Sequence, residues 1–247
     1  MKVIRKLKYF IKVFLSKELK FKKVPPFLQS IKLGSEYGGW YVPTGLLNEN
    51  SICYSAGAGE DISFDVELAK MCQCTVLIFD PTPKAKAHFD KVIHSMSEGK
   101  SYQLNEHFTY NGENNLNEKL VFKNIGIWKE NDNLKFYSPK NKDHVSHSIS
   151  NIQNTSNFFE AHVDRLSNIM KANGHKKLDL FKMDIEGAEY EVIDSILQDN
   201  IEIKVLCIEF HKTNNSIKII QEAINKLENK GYRMFAREHL DISFIRM

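Results

Sequence analysis

No cysteine pair in this chain has the spacing of a zinc site. Cys53, Cys72, Cys74 and Cys207 are its four cysteines, and the one close pair has a single residue between its members. They are expected to be small buried groups kept reduced. No full G-x-G-x-x-G run occurs, which disfavours an NAD-dependent oxidoreductase. No N-P-P-Y-type strand end occurs, which enzymes acting on nucleobase amino groups commonly show. Strong charge of one sign is also missing, because the net charge is only +3. Residues 1–23 hold nine Lys or Arg and one Glu, a local +8, so +3 less +8 leaves −5 on the rest. A mildly acidic body serves backbone phosphates poorly, and no nucleic-acid partner is expected.

At 247 residues the chain suffices for one α/β domain and is short for two. Its apolar fraction of 42% and charged fraction of 26% are ordinary for a soluble globular protein.

The stretch from Ser51 to Pro83, SICYSAGAGEDISFDVELAKMCQCTVLIFDPTP, organises the rest. It reads as a short buried strand at Ile52 to Ser55, a glycine turn at Gly57 and Gly59, and a helix to about Met71 capped by Asp61 or Ser63. A second buried strand at Thr75 to Phe79 then ends at Asp80. Glycine lets a backbone approach a ligand, and a helix N-terminus offers free N–H groups. A carboxylate about 20 positions after the turn suits a ribose hydroxyl pair. Glu60 and Asp61 would repel a pyrophosphate but fit a ligand carrying positive charge, such as the amino group and sulfonium of S-adenosylmethionine. A βαβ unit whose glycines only turn the chain is the plain alternative.

A second strand, within LDLFKMDIEGAEY (Leu178 to Tyr190), ends at Asp184 and leads through Gly187 into a helix. Here the chain resembles the FkbM-type methyltransferases, marked by a run like K-x-D-x-E-G-A-E: Lys182, Asp184, Glu186, Gly187, Ala188 and Glu189 stand in that order. Gly59 to Asp65 (GEDISFD) and Phe79 to Pro83 (FDPTP) are similar to one branch of that family, and the likeness runs from about Gly38 to Met247. The resemblance implies a class I methyltransferase sheet, Rossmann-like and doubly wound, mostly parallel with a C-terminal antiparallel hairpin. It implies S-adenosylmethionine as cofactor and O-methylation of a sugar, glycan or other small hydroxylated metabolite. A non-catalytic nucleoside-binding module with a regulatory or assembly role is the alternative.

Residues 1–24 form the first predicted segment. Val3, Leu7, Phe10, Ile11, Phe14 and Leu15 recur at helical spacing among lysines, a basic amphipathic arm. It is too short and too charged to span a bilayer, and it lacks the apolar run and cleavage site of a signal peptide. It can lie on an anionic membrane surface or pack on its own domain or a partner. The expected location is cytoplasmic, with peripheral contact at the inner membrane face if the arm binds lipid.

Residues 25–247 read as one domain with a small insertion around 129–160. Strand and helix alternate along it. Pro83 opens a helix to about Ser95, and residues 97–118 read as loop with at most one short strand. Leu120 to Trp128 reads as one strand, Glu160 to Lys171 as a helix stopped by Asn173-Gly174, and Ile203 to Phe210 as a fifth parallel strand. Ser216 to Lys230 reads as a helix, with Tyr232 to Ala236 and Ile242 to Ile245 as a closing hairpin.

In an open α/β sheet, ligands sit at the carboxyl ends of strands. The cofactor candidates are Gly57, Gly59, Glu60, Asp61, Asp80, Asn124 and Asp184, with Asn124 assigned through the resemblance. The catalytic candidates are Asp184, Glu209 and His211. A hydroxyl needs a base, and His211 suits by its intrinsic pKa. His147, Ser148 and Glu186 are substrate-binding candidates. Glu186 and Glu189 also suit a helix N-terminus with no further duty. No metal-ligand set is assigned, although the carboxylates can hold a divalent ion that polarises the acceptor.

Overall fold

The structure, a computed structural model, describes residues 18–25, 28–111, 115–137, 158–211 and 216–247. It is an α/β fold built on a mixed seven-stranded sheet, with five helices among the described residues. Numbering the strands of this sheet in chain order gives β1 (Cys53–Ala56), β2 (Val76–Phe79), β3 (Leu120–Lys123), β4 (Lys177–Met183), β5 (Glu202–Glu209), β6 (Tyr232–Glu238) and β7 (Asp241–Arg246). The helices are α1 (Ser63–Cys72), α2 (Pro83–Ser97), α3 (Leu166–Ala172), α4 (Glu189–Gln198) and α5 (Ser216–Asn229). Across the sheet the order is β3-β2-β1-β4-β5-β7-β6. The first five run parallel, and β7 is antiparallel to both β5 and β6.

Alternation along the strands splits the core in two. Tyr54, Leu77, Phe79, Phe181, Leu206 and Ile208 face one apolar cluster, which α3, α4 and α5 cover. Cys53, Val76, Ile78, Leu180, Val205 and Cys207 face the other, which α1 and α2 cover. This is why the parallel strands read as continuous apolar runs rather than alternating ones. All four cysteines are free and buried.

Local chemistry sets the helix starts. Asp61 Oδ1 accepts the Ser63 N–H at 2.9 Å, capping α1 from just outside its Ile62 cap position. Thr82 Oγ1 accepts the Ala85 N–H at 3.3 Å, and Pro83 opens α2.

Three readings change. Glu160 to Asp164 is not helical: Phe158–Asp164 is a strand paired antiparallel with Asp132–Tyr137, and α3 begins only at Leu166. Val163 and Leu166 share an apolar spacing across a strand–helix junction, which mimics a helical face. Leu120 to Trp128 is two strands rather than one. The second, Gly126–Ile127, leaves the main sheet to pair with Phe158–Asp164. Residues 97–118 contain a short antiparallel pair, Tyr102–Gln103 with Thr109–Tyr110.

Two further segments frame the domain. The hairpin Ser30–Leu33 with Trp40–Pro43 puts Leu33, Trp40 and Val42 into the second core, and its tip is tied to the glycine turn. Ser35 Oγ donates to Asp61 Oδ2 at 2.7 Å, and the Ser35 N–H donates to Ser63 Oγ at 2.7 Å. At the other edge, residues 22–24 run beside β6, with Met234 N–H to Lys22 O at 3.0 Å and Val24 N–H to Met234 O at 3.1 Å. Leu19 is buried in the first core. The apolar positions of the basic arm, Val3 to Leu15, lie outside the described residues, as do residues 138–157 of the expected insertion. None of the described helices is long and apolar enough to cross a membrane.

Candidate active site

The two sequence motifs meet at the carboxyl ends of β1 and β4. The Asp184 N–H donates to Ala56 O at 3.1 Å, continuing the strand pairing past the end of β4. Gly57 holds φ +80°, and a Cβ there would stand 1.6 Å from the Asp184 carbonyl oxygen. Glycine is therefore required at Gly57 by the neighbouring backbone, whereas the sequence suggested a ligand as the reason. Gly59 does fit that reason: at φ +54°, a Cβ would meet nothing within 4 Å.

Asp80 ends β2 and is buried. Its Oδ2 accepts the Gly59 N–H at 3.0 Å and its Oδ1 the Thr82 N–H at 2.7 Å. Each carboxylate oxygen has a second lone pair, so both can still receive hydroxyl hydrogens. Asn124 is exposed and follows β3, where the Asp80 N–H donates to Lys123 O at 3.2 Å. Glu60 is exposed on the turn. Asp61 is engaged by Ser35, Ser63 and, at 3.4 Å, the Tyr110 hydroxyl, so it braces hairpin, turn and helix together.

Beneath the turn lies a polar row that sequence reasoning did not assign. Ser55, Lys182 and Cys207 are register partners on β1, β4 and β5. Lys182 is buried, and its Nζ donates to Gly57 O at 2.6 Å and Ala56 O at 3.3 Å, with Asp184 Oδ2 at 3.9 Å. Asp65 of α1 is buried nearby, and burial pushes its carboxyl up to about 6 against the opposing pull of Lys182 and Ser55.

The shift in Asp65 has a signed consequence. Its folded pKa lies above the ordinary 3.8, so the folded state binds the extra proton between those values. Stability from this group is present below about pH 4 and is lost as pH rises to about 6, a difference of about 3 kcal/mol. Asp65→Asn, which stays neutral, is expected to melt higher than wild type at pH 7 and to flatten the pH 4–6 slope. Thermal melts across that range check it, and an unchanged slope would contradict it.

The second half of the site gathers around His211. Its Nδ1 lies 2.8 Å from Glu189 Oε1, and its Nε2 lies 3.4 Å from Glu186 Oε2, 3.7 Å from Glu209 Oε1 and 3.8 Å from Asp184 Oδ1. Glu189 is fully buried, and the same Oε1 also accepts N–H groups of Ile185 at 3.2 Å and Gly187 at 3.1 Å. A carboxylate the sequence explained by the helix dipole instead anchors the loop and the imidazole. Tyr190 hydroxyl donates to His211 O at 2.6 Å, fixing the backbone there. Glu186 adopts φ +53°, and Gly187 follows at φ +101°.

Burial acts to lower the His211 pKa, but Glu189, by charge and hydrogen bond, with Glu209 and Glu186, outweighs it and holds the imidazole well above its ordinary value. Enclosure and the charge of Glu209 push Asp184 up to about 8, against Lys182 and His211. The argument for His211 as base from intrinsic pKa therefore fails in this setting. Asp184, with about a third of its side chain still accessible, holds its proton at neutrality and becomes a base as pH rises toward about 8. His147 and Ser148 lie outside the described residues. The structure thus brings Gly57, Gly59, Asp61 and Asp80 together on one side of Asp184, and Glu186, Glu189, Glu209 and His211 on the other.

A family model for the methyltransferase FkbM domain matches residues 55–234, which take in both halves of this site. The chain belongs to the FkbM methyltransferase-domain family, whose methyl donor is S-adenosylmethionine. No curated relative matches the chain. The solved structure of M. jannaschii TYW2 in complex with AdoMet shares 11% identity, covers 91% of this chain and 90% of that one, and aligns with a TM-score of 0.34. At that score the likeness carries no argument about this site.

The residues fit such a cofactor on their own chemistry. Space is open beside Gly59, a buried carboxylate with free lone pairs ends β2, and acidic side chains line the turn.

Proposed function

We propose that this protein is an S-adenosylmethionine-dependent methyltransferase that methylates a hydroxyl of a sugar, glycan or other small metabolite. The sheet is read as the doubly wound, Rossmann-like class I arrangement. The observation that carries the proposal is the junction at Asp184: its backbone packs against a glycine turn suited to a nucleoside, and its carboxyl group belongs to a cluster of groups able to take a proton. Gly59, Glu60, Asp61, Asp80 and Asn124 hold the cofactor. Asp184, Glu209 and His211 face the acceptor, with Glu186, His147 and Ser148 contributing to its pocket.

Bound S-adenosylmethionine supplies a methyl group already activated by its sulfonium. The protein's task is to align the acceptor oxygen in line with the carbon–sulfur bond and to accept the hydroxyl proton. With the cofactor bound, its methyl group would pass from the sulfonium sulfur, which keeps the bond pair, to the acceptor oxygen, and the Asp184–Glu209 pair would receive the hydroxyl proton. The test is transfer of label from methyl-labelled S-adenosylmethionine to a panel of sugars and glycolipids. Label is expected in a hydroxyl acceptor, falling on the order of 100-fold or more in Asp184→Asn, within the range for losing a general base. Cofactor binding without transfer to any acceptor would favour a non-catalytic nucleoside-binding module instead.

The basic arm extends this proposal to an acceptor carried on lipid at the cytoplasmic membrane face. Residues 19–24 are docked on the domain, so the informative truncation removes residues 1–17 only. That variant is expected to lose binding to anionic vesicles while keeping the wild-type melting temperature. Undiminished vesicle binding would remove the membrane reading.

A further inference from the structure

We propose that Asp184, Glu186 and His211 form a divalent-cation site, flanked by Glu209, that holds the acceptor hydroxyl beside the methyl donor. The inference rests on the methyltransferase reading and deepens it. One ligand atom from each of the three residues lies within 4.8 Å of the others. The three carboxylate oxygens around His211 Nε2 stand at 3.4, 3.7 and 3.8 Å, longer than an ordinary N–H···O bond. Adjacent ligands of a six-coordinate cation with bonds of ~2.3–2.6 Å stand roughly 3.3–3.7 Å apart. The three distances lie within that spacing or just beyond its upper end, so the side chains close in only slightly on a bound cation.

A second observation lies behind the imidazole. Glu189 is buried, its Oε1 takes the Nδ1 side of His211, and its Oε2 is buried with no hydrogen-bond partner among the described residues. A carboxylate that receives one ring N–H fixes the tautomer so that the other nitrogen presents a lone pair, the usual backing of a metal-ligating histidine. Here that nitrogen faces carboxylate oxygens, and a divalent ion that displaces its proton supplies the positive charge the protonated ring otherwise brings.

The donor set narrows the cation. Two carboxylates and one imidazole suit a divalent ion that accepts both oxygen and nitrogen, and Mn²⁺ is a fitting probe. Three protein ligands leave positions for water or substrate. A hydroxyl entering one of them is oriented next to Glu209, the member of the Asp184–Glu209 pair that is not a ligand, which takes the proton, and the methyl transfer otherwise balances as described above.

The experiment titrates metal-stripped full-length protein with Mn²⁺ alone, by calorimetry and by the electron paramagnetic resonance of free Mn²⁺. One saturable site is expected. Glu186→Gln and His211→Ala are expected to weaken it on the order of 100-fold, and Glu189→Gln about 10- to 100-fold. Glu98→Gln, at the C-cap of α2, should leave it unchanged. Circular dichroism melts and cofactor titration confirm that each variant is folded. Absence of Mn²⁺ binding to a folded, cofactor-binding protein would overturn the inference and leave the methyltransferase reading intact, as would undiminished binding in Glu186→Gln. Mn²⁺ binding without cofactor binding would keep the cation site and remove the reading on which its role rests.

Discussion

Gly57→Ala is expected to destabilise the fold severely. The new Cβ would meet the Asp184 carbonyl oxygen at 1.6 Å, and that contact is backbone against backbone, so no side chain can swing away. Relief requires β1 and β4 to part at their carboxyl ends. That breaks the Asp184 N–H bond to Ala56 O and displaces Gly57 O from Lys182. The left-handed φ of +80° adds strain for any residue with a side chain. Together these place the substitution among the rare large effects, more than about 4 kcal/mol. A loss of that size lowers the melting temperature by roughly 10 °C or more in a chain of this length. Gly59→Ala is the matched control. It meets nothing within 4 Å, so it should cost only about 1 kcal/mol and fold, while weakening the cofactor through the space it fills. Thermal melts of the pair check this, and a Gly57→Ala protein melting like wild type would contradict it.

The second large effect is expected at Asp80, on binding rather than folding. If both carboxylate oxygens receive ribose hydroxyls, Asp80→Ala removes two hydrogen bonds to a charged group, each about 1.5–3 kcal/mol. It also releases the Gly59 and Thr82 N–H groups that hold the turn and the start of α2. The combined loss is on the order of 100- to 1,000-fold or more in affinity. Asp80→Asn separates the two causes. An amide can still accept one backbone N–H, so the turn keeps part of its support while the paired acceptor is lost.

The sheet was legible because its parallel strands are buried on both faces and read as short, β-branched, apolar runs such as Val76–Phe79. The carboxyl ends of those strands were legible for the same reason, since Asp80 and Asp184 interrupt the runs. What periodicity cannot show is which residues become neighbours across strands. Lys182 was visible as part of a motif, but its contact with Gly57 O and its charge beside Asp65 depend on β1 and β4 pairing in register. Glu189 was explained by helix position, and only its complete burial against His211 shows that it orients a ring. The Phe158–Asp164 strand was missed because its partner, Asp132–Tyr137, lies across the 138–157 segment, and its outward alternation carries little apolar signal. His211 was judged by the ordinary histidine value, which Glu189, Glu209 and Glu186 override.

The central claim is that a nucleoside cofactor is held by the Gly57–Asp61 turn and Asp80. Calorimetric titration of the full chain with S-adenosylmethionine and with its demethylated product, repeated on Asp80→Ala and Asp80→Asn, tests it most directly. Saturable binding of both ligands to wild type, nearly abolished in Asp80→Ala and intermediate in Asp80→Asn, is the predicted result. Failure of a folded wild-type protein to bind either ligand, or undiminished binding in Asp80→Ala, would contradict it and leave the glycine turn as architecture alone.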